Sequence, residues 1–360
     1  MEDGVASKEK LRTDYRRSII LKIVFIFICL TVSIIALGLS VTVGGRTLTF
    51  VEVYTAIFDH IKGITYEHYS PDWYTDYVVW DIRLPRAVFA VIAGAGLAIA
   101  GAAMQSLMKN PLADAYTTGV SSGACFGVAV GMAIGVGVMG AVDGISVSNA
   151  IVFSLFPTMI MIFLAPKEKM SPATLILVGQ ALSYLFNALT TILMATLEDE
   201  ALASIYEWEV GTLKYITWDS VMIPFVITLI GSIILIFLSR KLNIVALGDA
   251  EATALGLNVE TLRIILLFIS SIMVAGIIAF AGIIGFVGLV APHIVRMIIG
   301  SDNRFLIPAS AAFGATFLLL CDMLTRILSD VDAIPIGVVI SFIGAPIFLY
   351  LIIRQRRTIW

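Results

Sequence analysis

Two histidines in a polar stretch are the residues best suited by type to bind a metal ion. His60 and His68 stand close to Asp59, Glu67 and Asp72, and imidazole and carboxylate groups are common zinc ligands. The intervals between these residues match no recognised set of zinc ligands. We therefore predict that the chain holds no metal site.

The other residues that could do chemistry argue against several enzyme classes. Cys29, Cys125 and Cys321 fall in or at the ends of apolar runs without CxxC spacing, so we interpret them as packing residues. The sequence contains neither the Walker motif of an ATP-hydrolysing chain nor an HExxH motif. We expect no catalytic residue and no cofactor in this chain. A membrane enzyme is an alternative that no visible nucleophile or metal cluster supports.

Composition indicates which elements must position these side chains. Of 360 residues, 59% are hydrophobic and 14% are charged, against about 25% charged in a typical soluble domain. Uncharged runs of about 20 residues, the length that a helix needs to cross a bilayer, follow one another along the chain. Lipid offers no partner for backbone N–H and C=O groups, so each run is predicted to be a helix. The predicted fold class is an all-α integral membrane protein with a single transmembrane domain over residues 1–360.

Basic residues between the apolar runs indicate the orientation. Most of the 23 lysines and arginines lie at the two ends of the chain and in alternate connections, and cytoplasmic loops are the ones that keep Lys and Arg. Both termini are therefore predicted to be cytoplasmic, which requires an even number of spans. The window 264–295 is too long for one helix and has basic residues on both sides, so we divide it near 281–284. The resulting ten transmembrane helices are predicted over 19–43, 87–107, 115–138, 147–165, 173–196, 220–239, 264–281, 284–299, 305–325 and 334–354.

Two connections are long enough to have a role of their own. Residues 44–86 are predicted to be an external loop containing an amphipathic helix over 49–61. Residues 240–263 are predicted to be a cytoplasmic coupling segment, with a short helix that Asp249 caps and Gly256 ends. A compact helical projection into the cytoplasm suits the docking of a soluble partner.

No acidic or basic residue falls well inside any of the apolar windows. Carriers driven by protons or sodium ions usually need such groups at depth. An ion-coupled secondary transporter is the alternative class, but the pattern favours a passive pathway that another subunit powers.

Several sequence blocks occur in one order from about residue 80 to the C-terminus. They are RLPR at 83–86, GAGLAIAGAAMQSLMKNPLAD at 94–114, GVSSGA at 119–124, ALGDAEATALG at 246–256, GFVGLVAPHIVR at 285–296, IPIGVV at 334–339 and GAPI at 344–347. Together they resemble the permease subunits of ATP-binding cassette (ABC) importers for iron siderophores, haem and vitamin B12, the FecCD/BtuC-like family. The resemblance implies ten spans per subunit, in agreement with the charge argument.

The resemblance implies a docking site at the outer face. Arg83, Arg86 and Arg326 match outward-facing arginines that receive acidic residues of an external substrate-binding protein, and guanidinium pairs well with carboxylate. Interfacial anchoring is the alternative for Arg83 and Arg86. A local pair with Asp322 or Asp330 is the alternative for Arg326.

The resemblance also implies two cytoplasmic sites. The residues implied to sit in a groove of the ATPase are Leu247, Gly248, Ala250, Ala254, Leu255 and Gly256. The residues that match the cytoplasmic gate are Asn110, Leu112, Ser171 and Pro172. Pro172 stands where the family pattern leads us to expect a hydroxyl residue, and proline has no N–H to donate.

The predicted pathway wall is the fifth span, with Gln180, Ser183 and Asn187; interhelical hydrogen bonding is an equal alternative for these three.

The predicted function is the permease subunit of an ATP-driven importer of metal chelates, with ferric siderophores favoured over corrinoids (vitamin B12) and haem. The implied partners are a second permease subunit, identical or different, two cytoplasmic ABC ATPases that carry ATP and Mg²⁺, and an external substrate-binding protein. The chain is placed in the cytoplasmic (inner) membrane of the cell.

Overall fold

All regular structure in the part of the chain that the computed structural model describes is helical. That part comprises residues 2–46, 48–135, 145–164, 171–329 and 334–354. The α-helices are α1 (Glu2–Ser40), α2 (Phe50–Ile61), α3 (Pro71–Tyr77), α4 (Leu84–Met108), α5 (Val120–Ile134), α6 (Ile145–Leu164), α7 (Pro172–Met194), α8 (Asp199–Val210), α9 (Trp218–Leu247), α10 (Asp249–Ala254), α11 (Val259–Ala281), α12 (Val287–Ile299), α13 (Asn303–Leu328) and α14 (Ile336–Arg354). A π-helical turn over Val78–Arg83 leads into α4, and a 3-10 turn over Ala115–Thr118 precedes α5. The all-α prediction is confirmed.

Within the described residues, seven helical segments are long and apolar enough to cross a membrane. They are Asp14–Ser40, Pro71–Met108, Val147–Leu164, Pro172–Met194, Trp218–Leu247, Val259–Ala281 and Asn303–Leu328. Shorter apolar helices cover Val120–Ile134, Val287–Ile299 and Ile336–Leu351. These lengths and compositions indicate a multi-pass membrane protein, while the total of ten spans and the cytoplasmic termini stay predictions. Lys167, Lys169, Arg356 and Arg357, which entered the orientation argument, lie outside the described residues.

Helix α4 lies at the centre of the bundle. Most of its residues are buried, and it packs against α9, α11, α12 and α13. A Cβ atom at Gly94 would collide with the backbone carbonyl of Gly314 on α13, so these two helices approach to backbone contact. Small side chains permit this close packing between membrane helices.

The apolar window 264–295 is divided into two helices, as predicted. Helix α11 ends at Ala281 and α12 begins at Val287. The residues at the end of α8 stabilise this connection. The Ile283 N–H donates to the Trp208 carbonyl, and the Thr212 N–H donates to the Ala281 carbonyl. The break is therefore an ordered junction of α11 and α12 with the end of α8.

The segment 44–86, predicted to be external, contains two short helices. Helix α2 begins behind a capping box, in which Thr49 Oγ1 accepts from the Glu52 N–H and the Glu52 carboxylate accepts from the Thr49 N–H. This arrangement satisfies two donors that a helix start leaves free. The predicted amphipathic helix over 49–61 is confirmed.

The two histidines of this segment lie in separate environments. His60 Nδ1 lies 2.9 Å from Asp76 Oδ1, and its ring stacks on Trp80. The His68 ring packs against Trp73. Among the described residues, no group of three or more His, Cys, Asp or Glu side chains is arranged to hold a metal ion.

Candidate functional site

Helix α10 is a short projection between α9 and α11, and glycines bound it on both sides. Gly248 separates it from the 30-residue helix α9. At its other end the Gly256 N–H donates to the Thr253 carbonyl and the Leu257 N–H donates to the Ala252 carbonyl. Gly256 has φ of +82°, which is the left-handed conformation that closes a helix in this hydrogen-bond pattern. The predicted helix end at Gly256 is confirmed.

The side of α10 that faces away from the helix bundle forms, with its flanking residues, an exposed apolar surface. Leu247 is 67% exposed and Leu255 is 66% exposed, and Ala250 and Ala254 are exposed beside them. Ala252 faces the opposite way and is fully buried against the bundle. Apolar side chains gathered on an ordered projection are typical of a surface that meets another protein. We call these four exposed residues the α10 surface.

Asp249 does not cap α10, so this part of the prediction is wrong. The N-cap position is Gly248, and the Asp249 carboxylate instead accepts hydrogen bonds from Arg263 Nη2 at 2.8 Å and from Lys109 Nζ at 3.2 Å. Burial raises the pKa of Asp249, but hydrogen bonds and charge from Arg263 and Lys109 outweigh it, so the pKa lies below its usual value. The side chain was needed for a tertiary ion pair, which local sequence could not reveal.

The loop after α4, which includes two predicted gate residues, is ordered by local hydrogen bonds. Lys109 ends the helix with φ of +49°. Asn110 Oδ1 then accepts from the Leu112 N–H at 2.9 Å, and the Asn110 carbonyl accepts from the Ala113 N–H. An asparagine side chain that bonds two residues onward favours a tight turn. The Leu112 side chain is left exposed.

The other two predicted gate residues form the start of α7. Ser171 Oγ accepts from the Thr174 N–H at 3.1 Å and so caps the helix. Pro172 occupies the first helical turn, where its missing N–H costs nothing. Residues 165–170, which complete this loop, lie outside the described residues. The gate role of all four residues stays a prediction.

A polar stripe runs along one exposed side of α7. Its members are Gln180, Tyr184, Asn187 and Thr191, all of which are exposed. Their spacing of four, three and four residues places them on one helix face. Leu185 and Ile192 occupy the neighbouring exposed face. The Thr191 hydroxyl donates to the Asn187 carbonyl within the helix. Lipid offers no hydrogen-bond partner to the amide groups of Gln180 and Asn187, so these two side chains require water or another polypeptide.

The stripe includes two predicted pathway residues and excludes the third. Ser183 is partly buried, and its hydroxyl donates to the Gly179 carbonyl at 2.9 Å within the same helix. Tyr184 and Thr191 were missed by the sequence argument. The i, i+4, i+7 spacing of polar residues in an apolar helix is the signal that could have identified them.

The three arginines predicted to receive a binding protein are buried. Arg83 is 4% exposed, and Arg86 and Arg326 are each 5% exposed. Arg83 and Arg326 donate hydrogen bonds to backbone carbonyls over 40–43, where α1 ends. The last turn of a helix leaves carbonyls without partners, and its negative dipole end favours a cation. The structure therefore gives these side chains an internal role, and docking at them stays a prediction.

Arg86 and Arg326 also share one buried carboxylate. Arg86 Nε lies 2.7 Å from Asp322 Oδ1, and Arg326 Nη2 lies 2.8 Å from Asp322 Oδ2. The local pair of Arg326 with Asp322, one of the two alternatives, is present; Asp330, the other, lies outside the described residues. Asp322 is fully buried within α13, so the expectation that ionisable groups avoid the spans needs correction at this position.

An exposed arginine that the sequence argument missed lies beside the buried three. Arg46 lines, together with Arg83, Arg86 and Arg326, a cavity of about 170 Å³. Arg46 is exposed whereas the other three are buried, so it is the most accessible of the four guanidinium groups.

A second polar cluster joins the ends of α4, α9 and α13. Ser106 Oγ donates to Asn303 Oδ1 at 2.7 Å, and the Asn303 N–H donates to Asn243 Oδ1 at 2.8 Å. Asn243 Nδ2 in turn donates to Asp302 Oδ1 at 2.7 Å. Burial raises the pKa of Asp302, but hydrogen bonds from Arg304 and Asn243 outweigh it and lower the pKa to about 2. This cluster anchors the C-terminal turns of α9, which lead into α10.

Comparison with known proteins places the whole bundle among transport proteins. The FecCD transport family matches residues 28–354. The molybdate import system permease protein MolB of Haemophilus influenzae is 37% identical over 78% of this chain and 82% of that protein. The hemin transport system permease protein HmuU of Yersinia pestis is 34% identical over 78% of this chain and 84% of that protein. A solved inward-facing structure described as a metal-chelate type ABC transporter aligns with a TM-score of 0.79 and 32% identity, over 92% of this chain and 99% of that chain.

Proposed function

Because the chain belongs to the FecCD transport family, we propose that it is the permease subunit of an ATP-driven ABC importer of metal chelates. The observation that carries the proposal is the α10 surface, on which Leu247 and Leu255 are exposed. This surface suits a groove on a cytoplasmic ATPase, which supplies the ATP, Mg²⁺ and hydrolytic residues. In the proposal ten helices cross the cytoplasmic membrane, and both termini lie in the cytoplasm with α10.

The polar stripe of α7 supports a pathway between two permease subunits. In a bilayer, Gln180 and Asn187 must face water or protein, and a second subunit, identical or related, places the stripe on a shared axis. Ferric siderophores are the cargo we propose first, with corrinoids or haem next. The metal-chelate description of the aligned transporter supports the cargo class. The names of the relatives range over molybdate and hemin, so similarity to them selects no single cargo.

The two ends of the pathway have distinct partners in this proposal. An external substrate-binding protein delivers cargo at the cavity rimmed by Arg46. The loop with Asn110 and Leu112, and the start of α7 at Ser171 and Pro172, form the cytoplasmic gate. Closure of the ATPases displaces α10 and switches the pathway between outward and inward openings.

An ion-coupled carrier finds less support. Asp322 is fully buried, but it is paired with Arg86 and Arg326. Each of its carboxylate oxygens lies against an arginine of the same chain, which is the arrangement of a structural ion pair rather than of a site for a coupling ion.

The experiment that tests the function is ATP hydrolysis by the permease reconstituted with its ATPase. The cognate binding protein is added empty, or loaded with a ferric siderophore, haem, cobalamin or molybdate. Stimulation by one loaded form is expected, and it identifies the cargo. Failure of an ATPase to co-purify, together with no response to any binding protein, would contradict the importer assignment.

A further inference from the structure

We propose that Asp249 is a positioning residue that transmits the displacement of α10 to the gate loop over 109–114, through its ion pair with Lys109. The inference rests on the proposed function, because it assumes that an ATPase moves α10. It names one side-chain contact, the Asp249–Lys109 ion pair, as the link between the α10 surface and the gate loop.

The Asp249 carboxylate lies between two basic side chains that come from different helices. Asp249 is the first residue of α10, and its Oδ1 accepts from Lys109 Nζ at 3.2 Å and from Arg263 Nη2 at 2.9 Å. Lys109 is the residue at which α4 ends and the gate loop begins. Arg263 lies on the first turns of α11 with its side chain 6% exposed. The carboxylate therefore connects α10 to the gate loop on one side and to α11 on the other.

The chain has a pivot next to this contact. Asn243, on the last turns of α9, accepts a hydrogen bond from the Asn303 N–H at the start of α13, and Asn303 Oδ1 accepts one from Ser106 on α4. Gly248 follows, and it separates this anchored helix from α10. Glycine tolerates backbone conformations that other residues adopt at a cost. Helix α10 can therefore tilt about Gly248 while α9 stays in place.

Lysine suits the transmitting side of the contact. Its ammonium group is a compact point charge, so its attraction to the Asp249 carboxylate does not depend on one fixed hydrogen-bond geometry and survives a change in the tilt of α10. The Lys109 side chain is partly buried, with 28% exposure, and the Asp249 side chain is 42% exposed. Beyond Lys109, the turn closed by the Asn110 side chain holds Leu112, so a pull on Lys109 displaces the loop as a unit.

The test measures the gate directly and needs no cargo. A single cysteine replaces the exposed Leu112, and its alkylation by a water-soluble maleimide is timed in the reconstituted permease–ATPase complex, without nucleotide and with ATP plus vanadate. The native cysteines Cys29, Cys125 and Cys321 are buried, which keeps background labelling low. Asp249→Asn, Lys109→Met and their double variant are compared with the conservative Asp249→Glu. Glu260→Gln, which removes an exposed carboxylate from the first turn of α11, is the matched control.

With Asp249 intact, nucleotide is expected to change the labelling rate by about 5-fold or more, the low end of typical coupling between sites. Asp249→Asn and Lys109→Met each abolish the change, the double variant does no more than either, and Asp249→Glu and Glu260→Gln keep it. ATPase co-purification and ATP hydrolysis stay as in the parent chain. A full nucleotide response in Asp249→Asn or in Lys109→Met overturns the inference, and Lys109→Met is the decisive variant because it leaves the Asp249–Arg263 pair in place. Loss of the ATPase from either variant also overturns it. No ATPase on the parent permease overturns the proposed function itself, which separates the two failures.

Discussion

Arg86 and Asp322 form an ion pair inside the bundle, with Arg86 Nε 2.7 Å from Asp322 Oδ1 and side-chain exposures of 6% and 0%. The two residues lie 236 positions apart in the sequence, and their pairing joins α4 to α13. Arg326 contacts the same carboxylate and reaches the carbonyls at the end of α1. One buried acid therefore organises the ends of three helices.

Removing this acid is expected to destabilise the bundle strongly. Asp322→Asn leaves two buried guanidinium groups without a counter-charge, and breaking a buried pair in this way costs about 3–5 kcal/mol. Thermal unfolding of the detergent-solubilised protein, followed by size-exclusion fluorescence, measures the loss. Glu200→Gln on the exposed first turn of α8 is the control and should leave the transition unchanged. An unaltered transition in Asp322→Asn would show that the ion pair contributes little.

Charge reversal at the cavity rimmed by Arg46 should separate docking from folding. Arg46 is exposed, whereas Arg326 is buried on α1 carbonyls. Arg46→Glu should therefore weaken binding of the external substrate-binding protein most at low salt, where surface charge is least screened, and leave the unfolding transition in place. Arg326→Gln should lower the unfolding transition. Binding-protein affinity is measured by surface plasmon resonance at two salt concentrations. Equal affinities for Arg46→Glu and the parent chain would place docking elsewhere.

Polar substitution on the α10 surface should release the ATPase. If the side chains of Leu247 and Leu255 enter a groove of the ATPase, each is removed from water. This burial contributes about 1.5–3 kcal/mol per leucine to the free energy of association. Leu255→Ser is expected to weaken ATPase association about 10-fold or more, and Leu247→Ser/Leu255→Ser further. Co-purification and sedimentation report the complex. Glu260→Gln serves as the control on the same side of the bundle, and a normal complex with the double variant would contradict the α10 assignment.

The two exposed faces of α7 should differ in their access to water. Cysteine at Gln180 is expected to react with a membrane-impermeant thiol reagent much faster than cysteine at Leu185, because the polar stripe faces a pathway and the apolar face meets lipid. The rates are measured in proteoliposomes containing the assembled importer. Equal rates at the two positions would favour interhelical packing for the stripe, which is the alternative that the sequence left open.

Sequence periodicity and charge were sufficient for features that depend on local chemistry. The break near 281–284 followed from a window too long for one helix. The end of α10 at Gly256 followed from the preference of glycine for positive φ. The start of α2 followed from its apolar period, and Thr49 and Glu52 added a capping box. Each signal is complete within a few residues of chain, so no tertiary contact was needed to interpret it.

The side-chain assignments depended on contacts that sequence does not display. Asp249 looked like a cap, but two cations from α4 and α11 bind it instead. Arg83 and Arg86 looked like surface residues, because nothing nearby in sequence showed that carbonyls at 41 and 42 and the carboxylate of Asp322 would meet them.

The sequence by itself determined the class of this protein: an all-helical, multi-pass chain with the ordered blocks of a transport family. Apolar runs and helix signals are local, and the bilayer demands helices wherever they occur. Only the tertiary structure decided which charges are buried, which helix face stays polar and which residues connect α10 to the loop after α4. Those properties depend on which atoms from distant segments share the same low-dielectric space, and pairing there outweighs any preference of a single residue.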